Sequence, residues 1–285
     1  MSISMPLALI GAGLLAGSPQ DTALLSQLVE RAGRYVAEYE PALGALVAGE
    51  HYEQIDVRNG RPQTRVTESD FMVVFVSTRG HWLGFRDTHT VNGKAVGGAR
   101  QLRRLFNADG SVNADRVEKE AAAWNLSDRI HSDVNVPNLP LLFLRAEKLS
   151  RFDLKLGEAT VRQGVAVRRL QFREQKSPTL IRSTMNEDVV SGGSYWIDPE
   201  SGTIVATEHL ARDVGTGLEA RIEVAYSRDP ALGLWVPTQM TETYTLKPVV
   251  DPLNVIRCTA RYSNFRRYNA TTQEAFRLSE TPAKR

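Results

Sequence analysis

The sequence predicts an α+β protein in which a strongly curved antiparallel β-sheet of about 10–12 strands wraps around an N-terminal helix and further inserted helices. Two observations support this fold class. An amphipathic pattern of period 3.6 occurs near the N-terminus, and apolar residues alternate with polar ones through most of the chain beyond residue 150. Since a sheet of this size must curl to bury its apolar face, we expect a half-barrel closed over helices.

Composition places the chain among ordinary globular proteins. It has 285 residues, of which 42% are hydrophobic, so it can bury a sizeable core. The net charge of +2 is too small to indicate binding to nucleic acid. Because Cys258 is the single cysteine, neither an internal disulfide nor a cysteine-built metal site can form. We expect noncovalent packing to hold one domain over residues 21–268.

The first twenty residues resemble a secretory signal peptide. They carry no charged side chain, and an apolar run extends from Pro6 to Gly17. The run is shorter than the roughly 20 apolar residues that a membrane-spanning helix needs. We therefore predict a signal peptide over residues 1–20, a periplasmic or secreted location in a bacterial envelope, and no transmembrane span. At the other end, polar residues predict a flexible tail over 269–285.

The segment after the apolar run has the pattern of one long helix. Its N-cap is Asp21, and apolar residues recur at helical spacing from Thr22 through about five turns. Three strands should follow as a meander, since turn residues separate them: Gly49–Val57, Gln63–Ser77 and His81–Thr90.

Two features of the predicted strands depart from simple alternation. The run Phe71–Val76 is apolar at every position, which indicates a strand covered on both faces at the centre of the sheet. In a later strand the apolar parity changes between Val167 and Leu170, which predicts a β-bulge at Arg168/Arg169.

A helical insertion is predicted at about 98–150, between the meander and the later strands. It should contain helices over Ala99–Phe106 and Ala114–Leu126 and a third that starts at Pro140. Beyond it, Asp198–Gly202 and Asp229–Gly233 predict hairpin loops, because proline fixes φ and glycine accepts a positive φ. Cys258 shares the apolar parity of its strand, which predicts a buried, unreactive thiol.

The order of signal peptide, long helix and curved sheet, together with the segment Tyr195–Glu208 and the later Gly233–Pro237, resembles the bacterial lipoprotein carriers of the LolA/LolB type and their lipid-binding relatives. The chain is also similar to uncharacterised secreted bacterial proteins. The resemblance implies a half-barrel that binds a hydrophobic or amphipathic ligand, such as a lipid, an acyl chain or a lipoprotein, in the concavity of the sheet.

The leading hypothesis is therefore a non-enzymatic binding protein. Five large side chains on predicted strands are the candidate lining of a groove: Trp82, Phe85, Trp196, Trp235 and Tyr244. The alternative is a protein–protein interaction or sensor module of the envelope, whose concavity is filled by its own helices. The two hypotheses differ in the volume between sheet and helices, since a carrier needs a connected apolar cavity of ~300 Å³ or more.

Catalysis is the third and weakest hypothesis, in the form of an uncharacterised hydrolase. The five histidines show no metal-ligand spacing, and no Gly-x-Ser-x-Gly nucleophile motif occurs. The polar stretch that contains Ser127, His131 and Asp133 is better explained by backbone capping between helices. We therefore expect no catalytic residue, no metal and no cofactor, and we expect a monomer.

Overall fold

The computed structural model describes residues 19–44, 46–76, 81–96, 119, 123–127, 134–183, 185–246 and 255–267. The predicted signal peptide, apart from its last two residues, and the predicted tail at 269–285 lie outside this part of the chain. The predicted helix at 99–106 also lies outside it, as does most of the one at 114–126; of that segment Lys119 is helical, whereas residues 123 and 124 form a turn and residue 126 a bend.

Three helical segments and twelve strands make up the described chain. The helical segments are α1 (Pro19–Leu43), the 3₁₀ helix η1 (Leu139–Leu144) and the short α2 (Ala146–Leu149). The strands are β1 (Leu46–Arg58), β2 (Arg61–Val76), β3 (His81–Val91), β4 (Lys94–Ala95), β5 (Phe152–Arg162), β6 (Val165–Glu174), β7 (Ile181–Arg182), β8 (Asp188–Ile197), β9 (Ile204–Asp213), β10 (Leu218–Asp229), β11 (Leu234–Leu246) and β12 (Ile256–Arg267).

All twelve strands belong to one antiparallel sheet, in the order β4-β3-β2-β1-β12-β11-β10-β9-β8-β6-β5, with β7 pairing β8. The sheet is open among the described residues, and β4 and β5 form its two ends. The meander of β1, β2 and β3 is confirmed by their consecutive pairing. The predicted fold class, a large antiparallel sheet with an N-terminal helix, is confirmed as well.

Helix α1 lies on the apolar face of the sheet. Its 25 residues begin at Pro19, three residues before the predicted start, so Asp21 falls in the first turn instead of at the cap. A carboxylate in the first turn is favourable because the N-terminus of a helix carries partial positive charge. One side of the helix is buried in the main core at a spacing of three or four residues: Leu28, Ala32, Val36, Tyr39 and Leu43.

The second filler of the concave face is the chain from Val134 to Leu144. All of its eleven residues are buried, including every residue of η1. Two tyrosines of the sheet fix it through its backbone: the Tyr195 hydroxyl donates to the Pro140 carbonyl (2.7 Å) and the Tyr226 hydroxyl to the Pro137 carbonyl (2.6 Å). The helix predicted from Pro140 therefore exists as a 3₁₀ helix with this proline near its start.

The predicted β-bulge at Arg168/Arg169 is wrong in its position. The register shift lies on the neighbouring strand β5, between Leu156 and Ala159, where two residues face Arg169. The apolar parity changes in β6 because both faces of the sheet are apolar here. Leu170 belongs to the main core, whereas Val167 belongs to a separate cluster with Trp196, Val205 and Ala206.

The run at Phe71–Val76 was predicted to mark the centre of the sheet, and this is also wrong. Strand β2 is third from one end of the order, and the middle position belongs to β11. Phe71, Met72 and Val73 are nevertheless all buried. Burial of consecutive residues reports that both faces are covered locally, which does not depend on a strand's position in its sheet.

Both predicted Asp-Pro-x-x-Gly hairpin loops are present, and they are built alike. In each, the glycine has a positive φ (79° at Gly202, 68° at Gly233) and its N–H donates to the aspartate carbonyl at 2.9 Å. Their surroundings differ. A Cβ atom at Gly202 would overlap the backbone of Arg31 in α1, whereas nothing lies within 4 Å of one at Gly233. The first loop is therefore a contact point for α1.

These twin loops give a matched pair of variants. Gly233→Ala should cost about 1 kcal/mol of unfolding free energy, because alanine resists a positive φ. Gly202→Ala should cost about 2 kcal/mol more, because it also displaces α1. Urea denaturation of both variants measures the difference. Equal losses would show that the loop does not support the helix.

Candidate functional site

An open groove of 890 Å³ lies on the outer side of α1, where the helix faces α2 and β5. Its helical wall is a row of residues four apart, Leu25, Val29, Gly33 and Ala37, which adjoins the buried row of α1. The opposite wall is also largely apolar and comes from η1, α2 and β5: Leu144, Ala146, Leu149 and Leu154.

The sequence produces this groove through a second apolar row on α1. Residues four apart lie on one side of a helix, so the row from Leu25 to Ala37 forms a continuous strip. Gly33 brings the two walls together, since a Cβ atom there would lie 3.2 Å from the carbonyl oxygen of Leu144. A larger side chain at this position would separate α1 from η1.

Charged side chains border the apolar strip. Arg145 makes a bidentate ion pair with Glu40, with nitrogen–oxygen distances of 2.6–3.0 Å, and so joins the two walls. Hydrogen bonding to Glu40 raises the pKa of the Arg145 guanidinium. On the solvent side, Glu30 and Arg34 form an exposed pair at 3.2 Å. The groove thus combines an apolar floor with polar margins.

Among the described residues, side chains of the protein itself pack the space between the sheet and the helices. The main core joins the apolar faces of α1, η1 and most strands in one cluster. A void of 20 Å³ beside Val134, Ile181 and Leu218 is too small for an acyl chain. The groove beside α1, in contrast, is large enough for an apolar ligand.

A buried polar cluster interrupts the core where β1, β2, β3, β12 and β11 adjoin. Arg86 donates to both carboxylate oxygens of Glu50, at 2.6 and 3.0 Å, and both side chains are almost fully buried. The rings of Tyr52 and Phe71 lie 4.8 and 5.0 Å from the guanidinium carbon. Arg86 also donates to the backbone oxygen of Asn135 at 3.4 Å, so the ion pair helps to hold the chain that fills the hollow.

A second carboxyl group, Glu242, lies in the same cluster. Burial raises its pKa, although hydroxyl donors and the charge of Arg86 oppose the shift. The donors are Tyr244 and Tyr52, the latter at 2.9 Å. Burial likewise raises the pKa values of the two tyrosines. A cluster of this kind stabilises one arrangement of the core, and the residues named here do not line the groove beside α1.

His209 is a further buried titratable group. Its Nε2 is 3.1 Å from the Ser191 hydroxyl oxygen, and its ring packs edge-on against Phe143 of η1 at a centroid distance of 5.5 Å. Burial lowers the pKa of His209 to about 4. The residue is therefore neutral at physiological pH and contributes packing to the core.

The five predicted groove residues are distributed over both faces of the sheet. Trp82 and Tyr244 are buried in the main core. Trp196 lies in the separate cluster on the opposite face, while Phe85 faces Met72 across the β2–β3 ladder and is also fully buried. Trp235 is half-buried and touches both clusters. None of them lines the groove beside α1.

Sequence reasoning missed the groove because it assigned every apolar residue of α1 to the core. The available signal was the width of the apolar surface. Leu28 and Val36 form one row and Leu25, Val29 and Ala37 another, so the apolar surface of the helix is broader than one contact with a sheet needs. Cys258 is buried as predicted, and burial raises the pKa of its thiol.

Two further features of the described residues bear on other kinds of site. No group of three or more histidine, cysteine, aspartate or glutamate side chains is arranged to hold a metal ion in that part of the chain. Within the same residues, no helix is long and apolar enough to cross a membrane.

The described residues thus define an α+β protein with a curved antiparallel sheet wrapped on helices and an apolar groove beside its first helix. Among solved structures, the chain is similar to a domain assigned to an outer-membrane lipoprotein-sorting protein from Vibrio parahaemolyticus. The two share 13% sequence identity with a TM-score of 0.39, and the match covers 88% of this chain and 98% of that one.

Two further solved structures show the same likeness. One is a DUF1329 family protein from Desulfovibrio piger, with 12% identity, a TM-score of 0.41 and coverage of 88% of this chain and 96% of the other. The other is a LolA superfamily protein from Nitrosomonas europaea, with 10% identity, a TM-score of 0.35 and coverage of 90% and 96%. No family model and no curated protein matches the sequence.

The buried carboxyl groups should respond differently to neutralisation. Glu50→Gln leaves Arg86 without its ion-pair partner and should cost about 3 kcal/mol of unfolding free energy. Glu242→Gln should cost less than about 1 kcal/mol, because burial already disfavours its charge; the amide oxygen can accept from one tyrosine hydroxyl and the amide NH₂ can donate to the other. Chemical denaturation at pH 8 tests both. A larger loss of unfolding free energy for Glu242→Gln than for Glu50→Gln would contradict the expected order.

His209 should make the fold sensitive to acid. Its folded pKa is about 4, below the unfolded value near 6.5. The unfolded chain therefore binds a proton first as the pH falls, and about 2 kcal/mol should be lost between pH 7 and pH 5. His209→Gln should remove this part of the slope. Denaturation at the two pH values, with wild type and variant side by side, measures it; identical slopes would exclude His209 as the cause.

Proposed function

We propose that this protein is a non-enzymatic binding protein that holds the apolar part of an amphipathic ligand, such as a lipid, an acyl chain or a lipoprotein, in the groove beside α1. A location in the bacterial periplasm or outside the cell is part of the proposal, and it is supported by the uncharged apolar segment at the N-terminus. The observation that carries the proposal is the 890 Å³ groove with its apolar walls.

The volume and chemistry of the groove support this class of ligand. Sites for small molecules commonly enclose about 300–1,000 Å³ and are lined mainly by apolar groups with a few polar ones. The strip from Leu25 to Ala37 would remove an alkyl chain from water, at roughly 25 cal/mol for each Å² buried. Glu30, Arg34 and the Glu40–Arg145 pair border the strip, so a polar headgroup can remain hydrated or bind at the margin.

Binding of this kind needs no chemical step. The protein would withdraw apolar surface from water and release it when a competing partner buries that surface better. This proposal places the ligand between α1, α2 and β5, whereas the sequence-based hypothesis placed it in the concavity of the sheet. The reason is that, among the described residues, the buried chain from Val134 to Leu144 occupies the concavity.

That filled concavity favours a second candidate, a protein–protein interaction module of the envelope. In such a module the helices are permanent parts of the core, and the outer surface carries the partner. The two candidates separate on copurification. Native mass spectrometry of protein from a bacterial periplasm should show bound lipid for the carrier and a clean apoprotein for the module.

A pair of valine variants tests the groove directly. Val29→Glu places a carboxylate on the apolar strip of the groove. It should weaken binding of a fluorescent long-chain fatty acid at least about tenfold, because burial of a valine side chain contributes ~1.5–3 kcal/mol of free energy. Val161, on β5, is 67% exposed and does not line the groove, so Val161→Glu is the matched control and should bind like wild type. Fluorescence titration gives the dissociation constants.

Two results would count against the proposal. If wild type does not bind the probe and copurifies without lipid, the carrier function is excluded. If Val29→Glu and Val161→Glu bind equally well, a ligand is held elsewhere on the protein.

A further inference from the structure

Strand β5 ends the sheet with an unpaired edge among the described residues. The N–H of Gln175 donates to the carbonyl of Arg151 at 2.8 Å, immediately before the β5–β6 ladder. In an antiparallel ladder, bonded and non-bonded pairs alternate. Asp153 and Lys155 therefore bond to β6, whereas Phe152, Leu154 and Leu156 direct their N–H and C=O groups away from it. These groups form a template for one more strand.

The side chains of the same segment are self-complementary. Phe152, Leu154 and Leu156 point to the apolar face and contact the main core. Asp153 and Lys155 lie exposed on the other face, 3.4 Å apart within the strand. If a second copy of the segment runs antiparallel with Leu154 opposite Leu154, Asp153 faces Lys155 of the second copy and Phe152 faces its Leu156.

This alignment agrees with the free backbone groups. A two-fold axis through the pair of Leu154 residues makes that pair, and the two Phe152–Leu156 pairs, hydrogen-bonded. Phe152, Leu154 and Leu156 are the three residues whose backbone N–H and C=O groups do not bond to β6. Opposite charges then face each other across the strands on one side, and apolar residues meet on the other.

From this match of backbone, charge and apolar faces we infer that two copies of the chain associate through their β5 edges, in antiparallel register about Leu154, into one continuous sheet. The segment has the features of a pairing edge: five regular residues without proline, with the irregularity beginning only after Leu156. The opposite edge, β4, has two residues and cannot pair in this way. The protein is then a dimer, not the monomer expected from the sequence.

The dimer also changes the groove. Leu154 lines the groove beside α1 and lies at the two-fold axis, so the grooves of the two copies approach each other across the joint. This inference stands on the edge of the sheet and does not depend on what the groove binds.

A charge swap tests the register. Lys155→Asp places Asp153 opposite an aspartate in both symmetric contacts and should weaken dimerisation at least about tenfold. The double variant Asp153→Lys/Lys155→Asp restores opposite charges and should return the dissociation constant to within about threefold of wild type. Lys94→Asp, an exposed lysine on the β4 edge, is the matched control and should have no effect. Sedimentation equilibrium measures each constant.

Cross-linking gives a second, independent measurement. Bonded antiparallel partners have Cα atoms about 5.5 Å apart, which is within the range of a disulfide. Leu154→Cys should therefore form a disulfide-linked dimer under mild oxidation. Val161→Cys, on the same strand but roughly 45 Å from its symmetry mate in this register, should not. The natural cysteine, Cys258, is buried and does not interfere.

The inference is overturned if the wild-type protein sediments as a monomer at high micromolar concentration, or if it dimerises but the Lys155→Asp variant leaves the dissociation constant unchanged. A dimer with normal fatty-acid binding but no response to the swap would reject this interface alone. A dimer that responds to the swap but binds no fatty acid would reject the proposed function alone.

Discussion

The structure depends on one constraint, which is the apolar face of its open sheet. Eleven strands pair side by side and β7 adds to β8, and the curvature of this sheet alone cannot cover the apolar face. The chain covers this face with α1 and with the buried segment from Val134 to Leu144. Each apolar Å² removed from water contributes roughly 25 cal/mol, so the filling and the curvature stabilise each other. Among the described residues, the same filling occupies the interior of the fold, and the apolar groove lies on the outer side of α1.

Polar groups in this interior fix the position of the filling. Hydrophobic contacts alone would tolerate sliding of one element over another, whereas hydrogen bonds require particular partners. Tyr195, Tyr226 and Arg86 each donate to a backbone oxygen of the segment Asn135–Pro140. This arrangement requires a buried ion pair between Arg86 and Glu50. Such a pair favours one arrangement of the core more than it adds to the net stability of the fold.

Much of the fold could be predicted from the sequence because period, turn residues and burial are local properties. The alternation in β10 and β12 and the two Asp-Pro-x-x-Gly loops needed no tertiary information. The groove could not be predicted in this way, since it joins α1 to Leu144 and Leu154, more than a hundred residues away. The aromatic candidates lie on both faces of the sheet because parity shows that a side chain shares a face with its neighbours but not which face is concave, as Trp196 illustrates.

The Glu40–Arg145 ion pair connects the helix to the chain just after η1, across 105 positions of sequence. It clamps the walls at the C-terminal end of the strip, while Gly33 holds them in contact midway. Leu25 is the end of the apolar strip that lies farthest from this ion pair. If the groove holds an alkyl chain, as proposed, the chain should enter and leave lengthwise from that end. Its exit rate should then follow the fraying of the first turns of α1.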